Sequence, residues 1–186
     1  MDKYQKYFEM LVERNEHVNL TAITNKIDVF TIHFEDSKAG AALLKNGSSV
    51  LDVGSGAGFP GMALAIERPD CKITLLEGRG KKCDFLKEVV TELGLSNVEI
   101  INGRAEELKS NGFDFVVSRA VARLPKLLKF CAPHVKRGGE ILAWKTDIAE
   151  VAEAKREIKK FGLKFLGGLD YQVADAKRII FRFLKE

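Results

Sequence analysis

Between residues 52 and 61 the sequence reads Asp-Val-Gly-Ser-Gly-Ala-Gly-Phe-Pro-Gly, and this segment restricts the fold more than any other. A short apolar run, Val50-Leu51-Asp52-Val53, stops at its first glycine. Pro60 then suits the first turn of a helix that would run to about Arg68. A strand that enters a helix through several glycines lets backbone approach a ligand with no Cβ in the way. In open α/β sheets ligands gather at the carboxyl ends of strands, where this turn would lie. The alternative is a tight turn without a ligand, but such a turn needs one glycine rather than the four found here, Gly54, Gly56, Gly58 and Gly61.

The rest of the chain supplies the sheet. Strands are expected at 73–76, 98–101, 113–117 and 140–144, with helices at 81–93 and 124–131 and a charged helix at 147–161. Alternation of this kind from residue 49 to about 161 argues for βαβ units and an α/β fold with a Rossmann-like, mostly parallel sheet. Two last strands, about 163–169 and 178–184, have no helix between them and should pair antiparallel at one edge. Ahead of the sheet, Tyr4, Tyr7, Phe8, Leu11 and Val12 fall at helical spacing in residues 2–16. A polar break at 15–25 follows, then one or two helices over 26–45 that stop near Asn46-Gly47. These helices have no strand partners, so they are expected to form a cap, 1–47, on a core, 48–186, within one domain of 186 residues.

Composition removes several classes. No apolar run approaches the ~18 residues of a membrane span, and the start Met1-Asp2-Lys3-Tyr4-Gln5 has no apolar signal core, so a cytoplasmic location is expected. Cys71, Cys83 and Cys131 are widely spaced and odd in number, which argues against a zinc site or a disulfide framework; no metal is expected. A net charge of +4 permits a phosphate-rich partner without demanding one.

Gly56-Ala-Gly58-Phe-Pro-Gly61 is a literal GxGxxG, but the first glycine after the strand is Gly54, and that register puts Phe59 where a dinucleotide turn has its third glycine. The better fit is acid-x-Gly-x-Gly-x-Gly from Asp52 to Gly58, which resembles motif I of the class I S-adenosylmethionine-dependent methyltransferases. Dinucleotides place a pyrophosphate on the helix N-terminus; S-adenosylmethionine has an amino-acid tail instead. Asp52 is a candidate to orient its ammonium side, with Gly54, Gly56 and Gly58 forming the loop around it. Glu77, at the end of the second strand, can accept hydrogen bonds from both ribose hydroxyls, although dehydrogenases use an acid there too.

Further segments narrow the resemblance. Asn19-Leu20-Thr21 and His33-Phe34-Glu35-Asp36-Ser37 lie in the cap, and Gly58-Phe59-Pro60-Gly61 closes the loop. Gly80-Lys81-Lys82, Gly103-Arg104-Ala105-Glu106, Ser118-Arg119-Ala120-Val121-Ala122 and Ala143-Trp144-Lys145 follow in order. Together they resemble the bacterial small-subunit rRNA guanine-N7 methyltransferase family (RsmG, or GidB) over essentially the whole chain. That resemblance implies a class I methyltransferase sheet, S-adenosylmethionine as cofactor and N7 of one guanine in 16S rRNA as target. It implies cofactor contacts from Gly54 and Phe59, ribose contact from Glu77, adenine flanked by Ala105 and Glu106, and Arg119 beside cofactor and base. The sequence departs from the family at Glu77-Gly78-Arg79, where Asp-Ser is common, and it ends without the basic tail of some members.

Guanine N7 has a free in-plane lone pair, so no proton must leave and no general base is required. The task is placement of reacting atoms about 3–3.5 Å apart. Arg119, His33 and Asp36 are the catalytic candidates: Asp36 and His33 to shape the base pocket from the cap, Arg119 to orient base or cofactor. Blander readings stay open: a satisfied core histidine at 33, a helix N-cap at Asp36-Ser37, a structural ion pair at Arg119, and a turn role for Asn19. Lys81, Lys82, Arg104, Arg123, Lys145 and Arg178 are the candidates for RNA contact, which positions phosphates without reading sequence. The lysines and arginine of 155–160 fit a solvated helix face as well. The expected partner is 16S rRNA, within the small ribosomal subunit, bound by a monomer that needs no membrane. The alternatives are a class I methyltransferase acting on a small molecule or protein, and a binding module that keeps the loop without the chemistry.

Overall fold

The computed structural model describes residues 2–186. A seven-stranded sheet has the order β3-β2-β1-β4-β5-β7-β6. The strands are β1 (Ser49–Val53), β2 (Lys72–Glu77), β3 (Val98–Asn102), β4 (Phe113–Arg119), β5 (Val135–Lys145), β6 (Leu163–Val173) and β7 (Ala176–Lys185). β1 to β5 run parallel; β7 is antiparallel to both β5 and β6. The antiparallel edge is the one expected, but its hairpin is longer, because pairing continues to Val173↔Ala176 around a tight turn. Topology reverses between β1 and β4, the crevice where open α/β sheets bind ligands.

Alternate residues of the strands feed two apolar layers. Val50, Ile73, Leu75, Phe115, Val117 and Leu142 face the layer that holds α1 (Lys3–Asn15), α4 (Gly61–Glu67) and α5 (Gly80–Leu93). Leu51, Val53, Leu76, Val116, Ile141 and Phe183 face α6 (Leu124–Cys131). Behind that face lie α7 (Ala149–Glu153) and α8 (Lys155–Lys160), two short helices rather than one at 147–161, with a break at Ala154. The buried methyl of Ala154 anchors that break in the same layer.

In the cap, α2 (Lys26–Asp28), a π-helical segment (Val29–Glu35) and α3 (Asp36–Lys38) run on without interruption. A π-helical stretch in a helix often accompanies a functional site, and His33 lies in this one. Asp36-Ser37 does not cap a helix N-terminus, because Glu35 and Asp36 are both already helical. The helix nearer the N-terminus is bound to the core by Tyr7, fully buried, whose hydroxyl donates to the Ala57 carbonyl in the glycine loop. Asn15 sets the polar break: its Oδ1 accepts from Leu20 N–H at 2.8 Å and Thr21 N–H at 3.0 Å. No helix among the described residues is long and apolar enough to cross a membrane.

Candidate active site

The glycine loop leaves β1 with the N–H groups of Gly54 and Ser55 on the Leu76 carbonyl, at 2.9 and 3.1 Å. Its conformation explains the glycines by position. Gly58 has φ +103°, and a Cβ there would run into the Tyr7 hydroxyl. Gly56 has φ +60°, and a Cβ there would meet nothing closer than 3.9 Å, so it borders open space. That space is a cavity of ≈ 420 Å³ bounded by the loop, Phe59, Glu77, Lys82, Arg119 and Val121.

Glu77 closes one side. Its Oε2 accepts the Gly56 N–H at 2.9 Å and its Oε1 the Arg79 N–H at 2.9 Å, so backbone holds the carboxylate across the cavity mouth with lone pairs to spare. Asp52 is elsewhere. It is fully buried under α4, where its Oδ2 accepts the Gly61 N–H at 2.9 Å. The absence of a side chain at Gly61 permits that approach, since a Cβ would sit 2.7 Å from the same oxygen. Burial pushes the Asp52 carboxyl up to about 7, opposed by the hydrogen bond from Gly61, by the nearby Ser55 hydroxyl and by Arg119. Asp52 thus braces the loop from beneath and does not line the cavity. Asp52 Oδ1 has no hydrogen-bond partner among the described residues.

A second cavity of ≈ 380 Å³ lies beside the first. His33, Arg119 and Ala120 line both. Ala120 has φ +57°, an uncommon conformation for a residue with a side chain and one that concentrates at functional sites. The second cavity is walled by Asp36 from the cap, Trp144 and Lys145 from β5, Glu150 from α7, and Tyr171 and Arg178 from the hairpin.

The partition between the cavities is a saturated network. Arg119 Nη1 donates to Asp36 Oδ2 at 2.7 Å and to the Ile32 carbonyl at 2.9 Å. Its Nη2 lies 3.0 Å from His33 Nδ1. A guanidinium only donates, so Nδ1 is the acceptor and the His33 proton sits on Nε2, donated to Thr21 Oγ1 at 2.8 Å. Desolvation, then the Arg119 charge, lowers His33 to about 4 against the pull of Asp36, so the imidazole is neutral. Its ring stacks on Phe59 at 4.7 Å, and the Arg119 guanidinium lies 5.2 Å over the same ring. Asp36 Oδ1 accepts from the Tyr171 hydroxyl at 2.6 Å, and its backbone carbonyl accepts from Trp144 Nε1 at 2.8 Å.

The structure thus brings Gly54, Gly56, Phe59, Glu77 and Arg119 to one cavity and His33, Asp36 and Arg119 to its neighbour. Gly58 packs behind the loop on Tyr7. Ala105 is buried, its carbonyl accepting from His134 at 2.8 Å, and Glu106 is exposed; neither lines the cavity as folded. Among the cations, Lys82 borders the first cavity, Arg178 the second, and Lys81 and Arg104 are exposed. Arg123 is exposed but paired with both oxygens of Glu153, at 3.1 and 2.6 Å. Lys145 is turned inward: its ammonium donates to the Ala122 carbonyl at 2.6 Å and to Glu150 at 2.8 Å, with 9% of the side chain exposed. It is not available to a phosphate, because α7 supplies a carboxylate within reach.

Sequence reading missed Thr21, Trp144, Glu150 and Tyr171 as pocket residues. Tyr171 meets Asp36 across 135 positions, and only the hairpin topology brings it there.

This strand order, with a glycine loop and a ribose-type acid at the switch point, defines a class I methyltransferase. The same fold is found in TYW2 of M. jannaschii in complex with AdoMet, with a TM-score of 0.69 at 18% identity over 83% of this chain and 76% of that one. Ribosomal protein L11 methylase of Lactobacillus delbrueckii gives a TM-score of 0.65 at 15% identity, over 82% and 77% of the two chains. Residues 1–171 match the family described as GidB, rRNA small subunit methyltransferase G. The protein named ribosomal RNA small subunit methyltransferase G of Lactococcus lactis subsp. cremoris is 39% identical over 93% of this chain and 77% of its own length. The one from Leuconostoc mesenteroides is 42% identical over 86% and 72%. The chain belongs to the rRNA small subunit methyltransferase G family, and it is an S-adenosyl-L-methionine-dependent rRNA methyltransferase.

The first cavity fits that cofactor. Glycine backbone forms one wall with room above Gly56, and a carboxylate suited to a ribose diol stands opposite.

Proposed function

We propose that this chain methylates N7 of a guanine in 16S rRNA, with the cofactor in the glycine-loop cavity and the base in its neighbour. The observation that carries this reading is the shared wall, His33, Arg119 and Ala120, through which the two cavities adjoin. When bound, S-adenosyl-L-methionine supplies an electrophilic sulfonium methyl; the N7 lone pair forms the new N–C bond as the C–S pair returns to sulfur.

The protein's part is placement. Glu77 would hold the ribose, Gly54, Gly56 and Phe59 would cradle the cofactor, and Arg119, fixed by four partners, would set the boundary between methyl and base. Both His33 nitrogens are engaged, and each Asp36 oxygen already accepts from a donor that holds it in place. That suits a reaction in which no proton leaves the nucleophile. Lys82 borders the cofactor cavity and Arg178 the base cavity, Lys81 and Arg104 are exposed, and these cations would steady phosphates; folded RNA in the small subunit would supply most of the selectivity. The protein would act as a cytoplasmic monomer.

The test is transfer of labelled methyl from S-adenosyl-L-methionine into 16S rRNA, free and in the 30S particle, followed by nucleoside analysis. Label in 7-methylguanosine is expected. Label in another nucleoside, or in neither RNA form, contradicts the proposal.

A further inference from the structure

Glu150, the second residue of α7, is a wall of the base cavity. Its two oxygens have different fates. Oε2 accepts from the Leu124 backbone N–H at 2.6 Å and from the Lys145 ammonium at 2.8 Å. Oε1 is engaged by no donor among the described residues, and it is not sealed in protein. In the other acid of the cavity each oxygen already accepts from a charged or hydroxyl donor, since Arg119 and Tyr171 bind the two oxygens of Asp36. Glu150 therefore offers the base cavity an acceptor held in a fixed direction, with 11% of its side chain exposed.

We propose that Glu150 Oε1 accepts the N1–H of the target guanine and so selects guanine over adenine. This rests on the guanine-N7 reading above. A guanine that turns N7 toward the cofactor cavity presents N1–H on its far edge, where adenine carries a lone pair. A carboxylate oxygen attracts the first and repels the second, which is discrimination by an attractive and a repulsive element together. The same contact favours the reaction. As the N7 lone pair becomes the N–C bond and the C–S pair goes to sulfur, the ring gains a positive charge and N1–H becomes a stronger donor. A fixed carboxylate there stabilises the transition state more than the ground state. The N1 proton stays on N1 throughout.

The neighbours of Glu150 make one substitution unusually informative. In Glu150→Gln the amide oxygen is claimed by two donors, Leu124 N–H and Lys145, which forces the NH2 group into the position of Oε1. An acceptor facing the cavity becomes a donor, with the hydrogen bonds that hold α7 retained. The experiment uses the full chain and 30S particles carrying guanosine, adenosine or inosine at the methylated position, in single-turnover transfer with cofactor affinity measured alongside. Glu150→Gln is expected to methylate guanosine about 10- to 100-fold more slowly, with cofactor affinity within about twofold, and to shift the guanosine-to-adenosine preference toward adenosine by at least about tenfold. Inosine keeps N1–H, and the wild-type chain is expected to methylate it within about threefold of guanosine, which needs no variant. A variant as fast as wild type on guanosine, an unmoved preference, or inosine rejected as strongly as adenosine overturns the role of Glu150. Absence of 7-methylguanosine with the wild-type chain would instead overturn the functional reading beneath it.

Discussion

Arg119 and Asp36 form an ion pair with a 2.7 Å contact across 83 residues, joining the end of β4 to the cap between two cavities. Their side chains are 13% and 6% exposed, so removal of either leaves a largely desolvated charge, with Tyr171 and Arg178, 3.8 Å away, as the remaining partners of Asp36. Breaking such a pair costs about 3–5 kcal/mol. Arg119→Ala is expected to lower unfolding free energy by that amount and to reduce methyl transfer, while Arg119→Met with Asp36→Leu recovers stability without activity. Denaturant unfolding of the single and double variants checks this; a single variant within about 1 kcal/mol of wild type would show that the pair is not buried in solution.

His33 should be neutral throughout the working pH range. Its folded value, about 4, lies below the ordinary histidine value of 6.5 because of burial and the Arg119 charge. The stability it contributes is complete above 6.5 and is lost as pH falls toward 4. The Cε1 proton resonance of His33 followed from pH 8 to 4 reports the midpoint directly. A midpoint at or above 6.5 would mean that the imidazole serves as a cation in the partition.

Asp52 behaves in the opposite sense. Its carboxyl is raised from 3.8 to about 7 by burial, so its favourable neutral form is fully present below 3.8 and is lost as pH rises through about 7. Between pH 3.8 and about 7 the wild type should lose about 1.4 kcal/mol per pH unit relative to Asp52→Asn, with no further loss above pH 7. Unfolding free energies at pH 4, 5, 6, 7 and 8 test this, and a difference independent of pH across that range would contradict it.

Two glycines separate binding from folding. Gly56→Ala places a methyl in the open cavity, so the chain should fold, at about 1–2 kcal/mol for the left-handed backbone, and lose cofactor affinity. Gly58→Ala drives its methyl into the Tyr7 hydroxyl and should destabilise the cap and loop together. Thermal unfolding with calorimetric titration of S-adenosyl-L-methionine distinguishes them. Equal loss of stability in both would contradict the placement of Gly56 beside open space.

What the sequence made legible was local. The loop, the strand alternation and Pro60 at the head of α4 follow from residues within a few positions of one another. The π-helical turn at 29–35 left no mark in the spacing of apolar residues, because Val29 and Phe34 suit an ordinary helix equally well. Asp52 was legible as an acid at the motif position, yet its partner, Gly61 N–H, is fixed by how α4 packs on β1. Tyr171 and Glu150 were not legible as site residues, since their roles depend on the antiparallel hairpin and on α7 meeting the ends of β4 and β5. Lys145 read as a surface cation for the same reason: its partner is a short helix that the sequence joined to its neighbour.

The central claim is methyl transfer to one guanine N7, and N7-methylguanosine weakens its own glycosidic bond, which permits strand scission by reduction and aniline. 16S rRNA treated with the chain and S-adenosyl-L-methionine, then cleaved in this way and mapped by primer extension, gives the most direct answer. The account predicts a single new stop that disappears with the Arg119→Ala variant. No stop, or stops scattered over many guanines, would contradict it.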